Sequence, residues 1–190
     1  MSSISSVHRT AGTHPLLARA AVIILGSLLL WASAKVQVPF WPVPMTLQTY
    51  VVLGMGALLG WRLGAATVAA YLVEGALGLP VFAGTPANGI GLAYMAGPTG
   101  GYLAGYFVAV VLVGWLTARR GNHSIVSTAA ALLIGELAIL GLGCAWLGVQ
   151  FGWEKAFALG LGPFLVGDAL KLALATVTVT YYGRHTASEA

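Results

Sequence analysis

Charge is what this chain has least of. Only 7% of its 190 residues are Asp, Glu, Lys or Arg, where an ordinary soluble domain carries about a quarter. With 58% hydrophobic residues and a mean hydropathy of +0.88, that scarcity excludes a water-soluble globule. It also excludes a disordered chain, which needs high charge and low hydrophobicity. Cysteine is nearly missing too: Cys144 is the single one, so no internal disulfide can form. No Cys/His cluster offers ligands for an iron–sulfur, haem or zinc site, and no cofactor is expected. The nine Lys and Arg give a net charge of +4 but stand singly or in one pair, not as the basic stripe of a nucleic-acid surface. A nucleotide loop is absent as well. Gly97-Pro-Thr-Gly-Gly101 lacks the phosphate-binding Lys and reads as a sharp loop-to-helix turn, so the chain does not hydrolyse ATP by a Walker-type mechanism. His8, His14, His123 and His185 all fall in termini or loops. An intramembrane enzyme would therefore lack a visible catalytic set.

What remains is a succession of apolar runs. At about 20 residues per crossing, 190 residues hold about six or seven spans with short connections. The expected fold is an all-α membrane protein, six transmembrane helices in one bundle forming a single domain over residues 1–190. Residues 1–15 are a polar N-terminal segment, and the helices are expected near 16–34, 46–60, 63–77, 98–118, 124–149 and 163–182. The first run is read as a helix rather than a signal peptide, because Trp31-Ala-Ser-Ala34 leads straight into Lys35 and five more apolar runs. Residues 35–44 hold three prolines and form an ordered loop. Residues 78–97 form a long outer loop, and residues 150–162 a third. Small residues four apart, at Gly56, Gly60 and Gly64, Gly101 and Gly105, and Ala65 and Ala69, suit close helix packing.

Arg9, Arg19, Arg62, Arg119, Arg120 and Arg184 all fall on one side of this arrangement, and only Lys35 and Lys155 on the other. Cytoplasmic loops collect Lys and Arg, so both termini are expected in the cytoplasm, with the three long loops on the outer face. Trp61, Trp115, Tyr181 and Tyr182 mark the inner boundary, and Trp31, Trp41, Trp146 and Trp153 the outer. A pocket should open outward.

An ionisable residue in hydrocarbon costs a few kcal/mol, about 2.5–3.5 on insertion scales, so each asks for a partner or a function. Glu74, Glu136, Asp168 and Lys171 are those residues. Asp168 and Lys171 share a helix face, about 7 Å below the outer end of the last helix. They are either a self-neutralising ion pair or a binding element for a ligand bearing N–H donors and an anionic group. Glu74 either joins them or pairs with Lys35. Glu136 lies nearer mid-helix, where the plain reading is an interhelical hydrogen bond of the protonated acid. Gln48 and Thr46 open the second helix, Thr46 also serving as a possible cap. Asn88, Tyr94, Thr99 and Tyr102 border the long loop. These uncharged groups suit orienting a small molecule in an apolar cleft.

Four runs then become specific together: Val43-Pro-Met-Thr-Leu-Gln-Thr49, Tyr71-Leu-Val-Glu-Gly-Ala-Leu-Gly-Leu-Pro-Val-Phe-Ala83, Gly97-Pro-Thr-Gly-Gly-Tyr102 and Gly167-Asp-Ala-Leu-Lys171. In order and spacing they resemble the BioY family, the biotin-binding S components of energy-coupling factor (ECF) transporters. The resemblance implies a six-helix bundle in the cell (inner) membrane that binds biotin from outside. It also implies uptake driven by a separate transmembrane coupling protein and two cytoplasmic ATPase subunits. Asp168 would accept from the ureido N–H groups, Asn88 and Gln48 would complement the ring edges, Tyr102 would cover the rings, and Lys171 would pair with the carboxylate or hold Asp168 ionised. The first apolar run departs from the S-component pattern. It has no Ala-x-x-x-Ala pair, leaving Ala18, Ala21 and Gly26 as small residues for docking the coupling protein. A stand-alone biotin carrier and an S component for another vitamin are the neighbouring readings.

Overall fold

A computed structural model describes residues 15–120 and 124–188, with side chains for 16–119 and 124–183. His8, Arg9, His14 and His123 lie outside the described residues, as do the side chains of Arg120, Arg184 and His185. The described chain is helical apart from one two-stranded ribbon. In order it runs α1 (Pro15–Lys35), β1 (Gln37–Val38), β2 (Met45–Thr46), α2 (Gln48–Ala76), α3 (Gly91–Ala96), α4 (Gly100–Arg120), α5 (Ile125–Phe151), α6 (Trp153–Gly160) and α7 (Phe164–Ser188). Five of these, α1, α2, α4, α5 and α7, are long and apolar enough to cross a membrane. Val126, Val149, Leu170 and Val177 stand exposed on their outer faces. Such a belt is an association surface in water and an ordinary solvated surface in lipid.

The two helices expected at 46–60 and 63–77 are the two arms of α2. At Gly60 the backbone adopts φ 76°, ψ 170°, a conformation open essentially to glycine alone. The chain reverses there. A Cβ on Gly64 would lie 3.6 Å from the Met55 carbonyl oxygen, whereas a straight helix puts residues nine apart about 13 Å from each other. α4 packs against the reversal, because Gly114 has no side chain to keep it from the Trp61 backbone. Farther along, a Cβ on Gly105 would come within 2.8 Å of the Ile139 Cα of α5. Gly56, Gly64, Gly101 and Gly105 thus serve close helix approach, as their spacing suggested, whereas Gly60 meets nothing within 4 Å and serves the reversal instead.

Three boundaries differ from expectation. Helix α2 starts at Gln48 rather than Thr46, since Met45–Thr46 pairs with Gln37–Val38 in the ribbon that folds the proline-rich segment back on itself. The long outer segment is not wholly irregular and ends in α3. Residues 150–162 are mostly helix: Gly152, at φ 89°, breaks α5 and redirects the chain into α6. Gly160 of α6 packs on Leu147.

At one end of the bundle Arg62 lies over the Trp61 ring at 5.0 Å and Arg119 over the Trp115 ring at 4.1 Å. Lys35 sits at the other end, where its ammonium donates to the carbonyls of Pro80 (2.9 Å) and Phe82 (3.0 Å) and to the Thr85 hydroxyl (3.3 Å).

Candidate ligand-binding site

A buried cavity forms at the Lys35 end, where the ribbon, the start of α2, α4, α5 and α7 converge. Val43, Pro44, Thr46, Gln48, Tyr102 and Asp168 are among its walls, with Lys171 at one side. Glycine creates the approach of ribbon to helix. With no Cβ at Gly167, Met45 lies directly on α7 beside Asp168. The opposite wall is aromatic. Tyr102 stacks on Phe164 with centroids 5.9 Å apart, and Phe40 meets Phe164 edge-on at 6.5 Å. The Tyr102 hydroxyl donates to the Gly160 carbonyl at 2.5 Å, which ties α4 to the end of α6.

The polar side is built on α7. Asp168 is 3% exposed and forms an ion pair with Lys171, one helical turn on. Lys171 also donates to the Thr46 carbonyl at 3.0 Å, so the cation bridges α7 to the ribbon. Apart from that ion pair, neither Asp168 oxygen has a hydrogen-bond partner. An ionised carboxylate accepts about four hydrogen bonds, and leaving a buried acceptor unsatisfied costs about 1–3 kcal/mol. The site therefore presents free acceptor capacity beside a cation and an aromatic wall.

Gln48 and Thr46 belong to the same cavity, but the Gln48 amide is engaged within the chain. It donates to the Tyr71 hydroxyl at 2.7 Å and to the Leu30 carbonyl at 3.5 Å, and its oxygen accepts from the Thr46 hydroxyl at 3.3 Å. Thr46 also accepts from the Gln48 backbone N–H at 3.3 Å, but it precedes the N-cap of α2, which is Leu47 and makes no side-chain cap bond. Tyr71 passes the chain of bonds to the Val81 carbonyl at 3.1 Å.

The structure thus brings together Asp168, Lys171, Thr46, Gln48 and Tyr102. It does not bring in Glu74 or Asn88. Glu74 accepts a hydrogen bond from the Ser27 hydroxyl of α1, and the expected Lys35 pairing is replaced by the carbonyl contacts of Lys35 described above. Asn88 is exposed on the long loop, where polar side chains find water without a partner. Thr49, Tyr106 and Phe164 line the cavity and were not singled out from the sequence. Tyr106 was within reach of spacing logic, four residues after Tyr102 on one helix face. Above the cavity, Tyr94 stacks on Phe82 with centroids 5.0 Å apart. Burial raises the pKa of its hydroxyl above the usual tyrosine value.

The cavity is tight, about 20 Å³, little more than a water occupies. A larger ligand enters only when the walls part.

The BioY family pattern matches residues 5–188. A probable biotin transporter BioY of Pyrococcus horikoshii is 39% identical over 144 residues, covering 76% of this chain and 83% of that protein. The biotin transporter BioY of Rhizobium etli is 35% identical over 167 residues, covering 83% and 85%. That of Thermotoga maritima is 32% identical over 157 residues, covering 83% and 86%. Among solved structures, the S-component for biotin from an ECF-type ABC transporter superposes with a TM-score of 0.78 at 24% identity, covering 92% of this chain and 95% of that one. At that identity the likeness is one of fold.

Proposed function

Since the chain belongs to the BioY family, we propose that it is the biotin-binding subunit of a vitamin uptake system in the cell membrane. The observation that carries this reading is the buried Asp168–Lys171 pair with open acceptor capacity. Biotin offers two ureido N–H donors, an apolar fused ring and a carboxylate. Asp168 accepts from the ureido group, the Tyr102–Phe164 wall packs on the rings, and Lys171 neutralises Asp168 while its remaining N–H faces the cavity. Gln48 and Thr46 hold the wall rather than the ligand.

The reading extends to topology. The two arms of α2 each cross the bilayer, which makes six crossings in one domain and puts both termini in the cytoplasm. Arg62 and Arg119 then face the cytoplasm and the cavity faces outward, in agreement with the positive-inside rule. Energy comes from partner subunits, a transmembrane coupling protein and two ATPases, as the S-component fold suggests. Ala18 and Ala21 are exposed on α1 and available to such a partner. Gly26 is buried against Thr67 within the bundle and is a packing residue.

The test is equilibrium binding of biotin to the purified protein in lipid nanodiscs, without partners or ATP. Saturable binding at one site per chain is expected, with weaker binding of an analogue lacking the ureido group. Binding of a different vitamin in place of biotin would overturn the substrate and leave the fold standing.

A further inference from the structure

A second hollow lies on the flank of the bundle, away from the outer cavity. α1 and α7 both pack on α2, and between them they leave a groove of about 410 Å³ along its first arm. Its floor is buried, at Val51, Ala175 and Val179, and its rims are exposed, at Leu25, Leu29 and Leu58. Glycine opens it. A Cβ on Gly54 would meet no atom within 4 Å, so no side chain of the bundle covers that residue. The polar groups of the lining satisfy each other: the Tyr50 hydroxyl lies 3.2 Å from that of Thr178, which donates on to the Leu174 carbonyl at 2.9 Å. No charged side chain lines the groove. What fits it is hydrocarbon.

Length, width and direction narrow the occupant further. Along α2 the lining runs from Tyr50 to Leu59, about 13 Å of helix, close to the roughly 15 Å of hydrocarbon in one leaflet. Spread over that length, the volume leaves a channel about 6 Å across. One hydrocarbon chain fits there, whereas a helix with its side chains is about 10–12 Å wide. The groove ends toward the arginine side of the bundle. Val22 is its last residue on α1, and Arg19, three positions earlier, shares that helix face. Leu59 is its last residue on α2, and Arg62 follows just past the reversal at Gly60. Arg19 is exposed and makes no ion pair or hydrogen bond with any described residue.

We propose that this groove holds one acyl chain of an anionic phospholipid, whose headgroup phosphate pairs with Arg19. Charge complementarity selects the lipid, because an unpaired guanidinium one helical turn beyond the groove favours a headgroup with net negative charge over a zwitterionic one. In the topology proposed above, the lipid belongs to the cytoplasmic leaflet, where anionic lipids attract basic side chains. The bound chain fills the gap between α1 and α7 and supplies packing that these two helices do not give each other. The site does not depend on what the outer cavity binds.

The experiment uses the full chain in nanodiscs carrying a trace of phosphatidylglycerol or phosphatidylcholine, spin-labelled on one acyl chain. Electron spin resonance separates chains held on the protein from chains in the fluid bilayer. The parent should prefer phosphatidylglycerol by about fivefold, the effect of one basic residue at an anionic surface, and the preference should shrink as salt rises. Arg19→Gln should bring the two lipids to parity. Gly54→Leu should fill the groove and release one held phosphatidylglycerol per chain. Its unfolding temperature should not fall, since the new Cβ meets nothing and leucine suits a helix better than glycine. Should Gly54→Leu fail to fold, Val22→Phe narrows the same groove from α1 and is held to the same expectation. Equal retention of the two lipids by the parent would overturn the proposal, and it is the result expected if the groove instead receives a helix of a partner protein. Selectivity unchanged in Arg19→Gln, or a held fraction unchanged in the groove-filling variant, would overturn it too.

Discussion

Gln48 donates a hydrogen bond to the Tyr71 hydroxyl at 2.7 Å, although 23 positions separate them in one helical segment. In a straight helix they would stand about 34 Å apart. The bond closes the two arms of α2 on each other at the cavity, and through the Val81 carbonyl it anchors the long segment overhead. Gln48→Leu should take one of two hydrogen-bond partners from the Tyr71 hydroxyl and one from the Thr46 hydroxyl, at a cost of about 1–3 kcal/mol. Thermal unfolding should show the loss. Because Tyr71→Phe breaks the same bond, the double variant should lose less stability than the two single losses added. Full additivity would mean that the bond contributes nothing.

The reversal itself is testable at Gly60. A side chain there is forced into backbone space that costs of order 1–3 kcal/mol, while a Cβ would meet no neighbouring atom within 4 Å. Gly60→Ala should therefore lower the unfolding temperature through backbone strain alone, with biotin affinity in the folded fraction unchanged. No loss of stability would show that the backbone does not hold φ 76°.

For the ion pair, Asp168→Asn and Lys171→Ala should each weaken biotin binding by more than about tenfold, roughly 1.4 kcal/mol. Each also leaves one buried group unbalanced, which for a broken buried pair costs about 3–5 kcal/mol. The double variant Asp168→Asn, Lys171→Met removes the imbalance. Its stability should recover while biotin binding does not. A double variant that binds biotin like the parent would make the pair structural and leave recognition to the aromatic wall.

Topology can be measured in intact cells. Tags at residues 1 and 190 should both be protected from an impermeant protease or label, while a cysteine introduced at the exposed Asn88 should react from outside. Accessibility of either tag in sealed cells would place the cavity on the wrong side for uptake.

Much of this could be read from the chain alone, for local reasons. Hydropathy runs of about 20 residues locate spanning helices because each residue meets the bilayer largely independently. Asp168 and Lys171 were recognisable as one element because three residues on a helix is a fixed geometry. Tyr102 and the segment opening at Thr46 and Gln48 were placed at the outer end by the same helix arithmetic.

What chain position could not decide was which side chains meet across elements. The engagement of Gln48 with Tyr71, the diversion of Glu74 to Ser27 and the exposure of Asn88 depend on how α1, α2 and the long loop pack, and no local rule encodes that. Glu136 is the sharpest case. From sequence it was a mid-helix acid with a generic interhelical partner, and the packing leaves it 4% exposed with neither oxygen hydrogen-bonded. Composition and periodicity determined a lipid-dissolved helical bundle because burial in hydrocarbon acts residue by residue. The site required the tertiary structure because a hydrogen bond or ion pair is decided within an ångström or so, between residues that the chain leaves far apart.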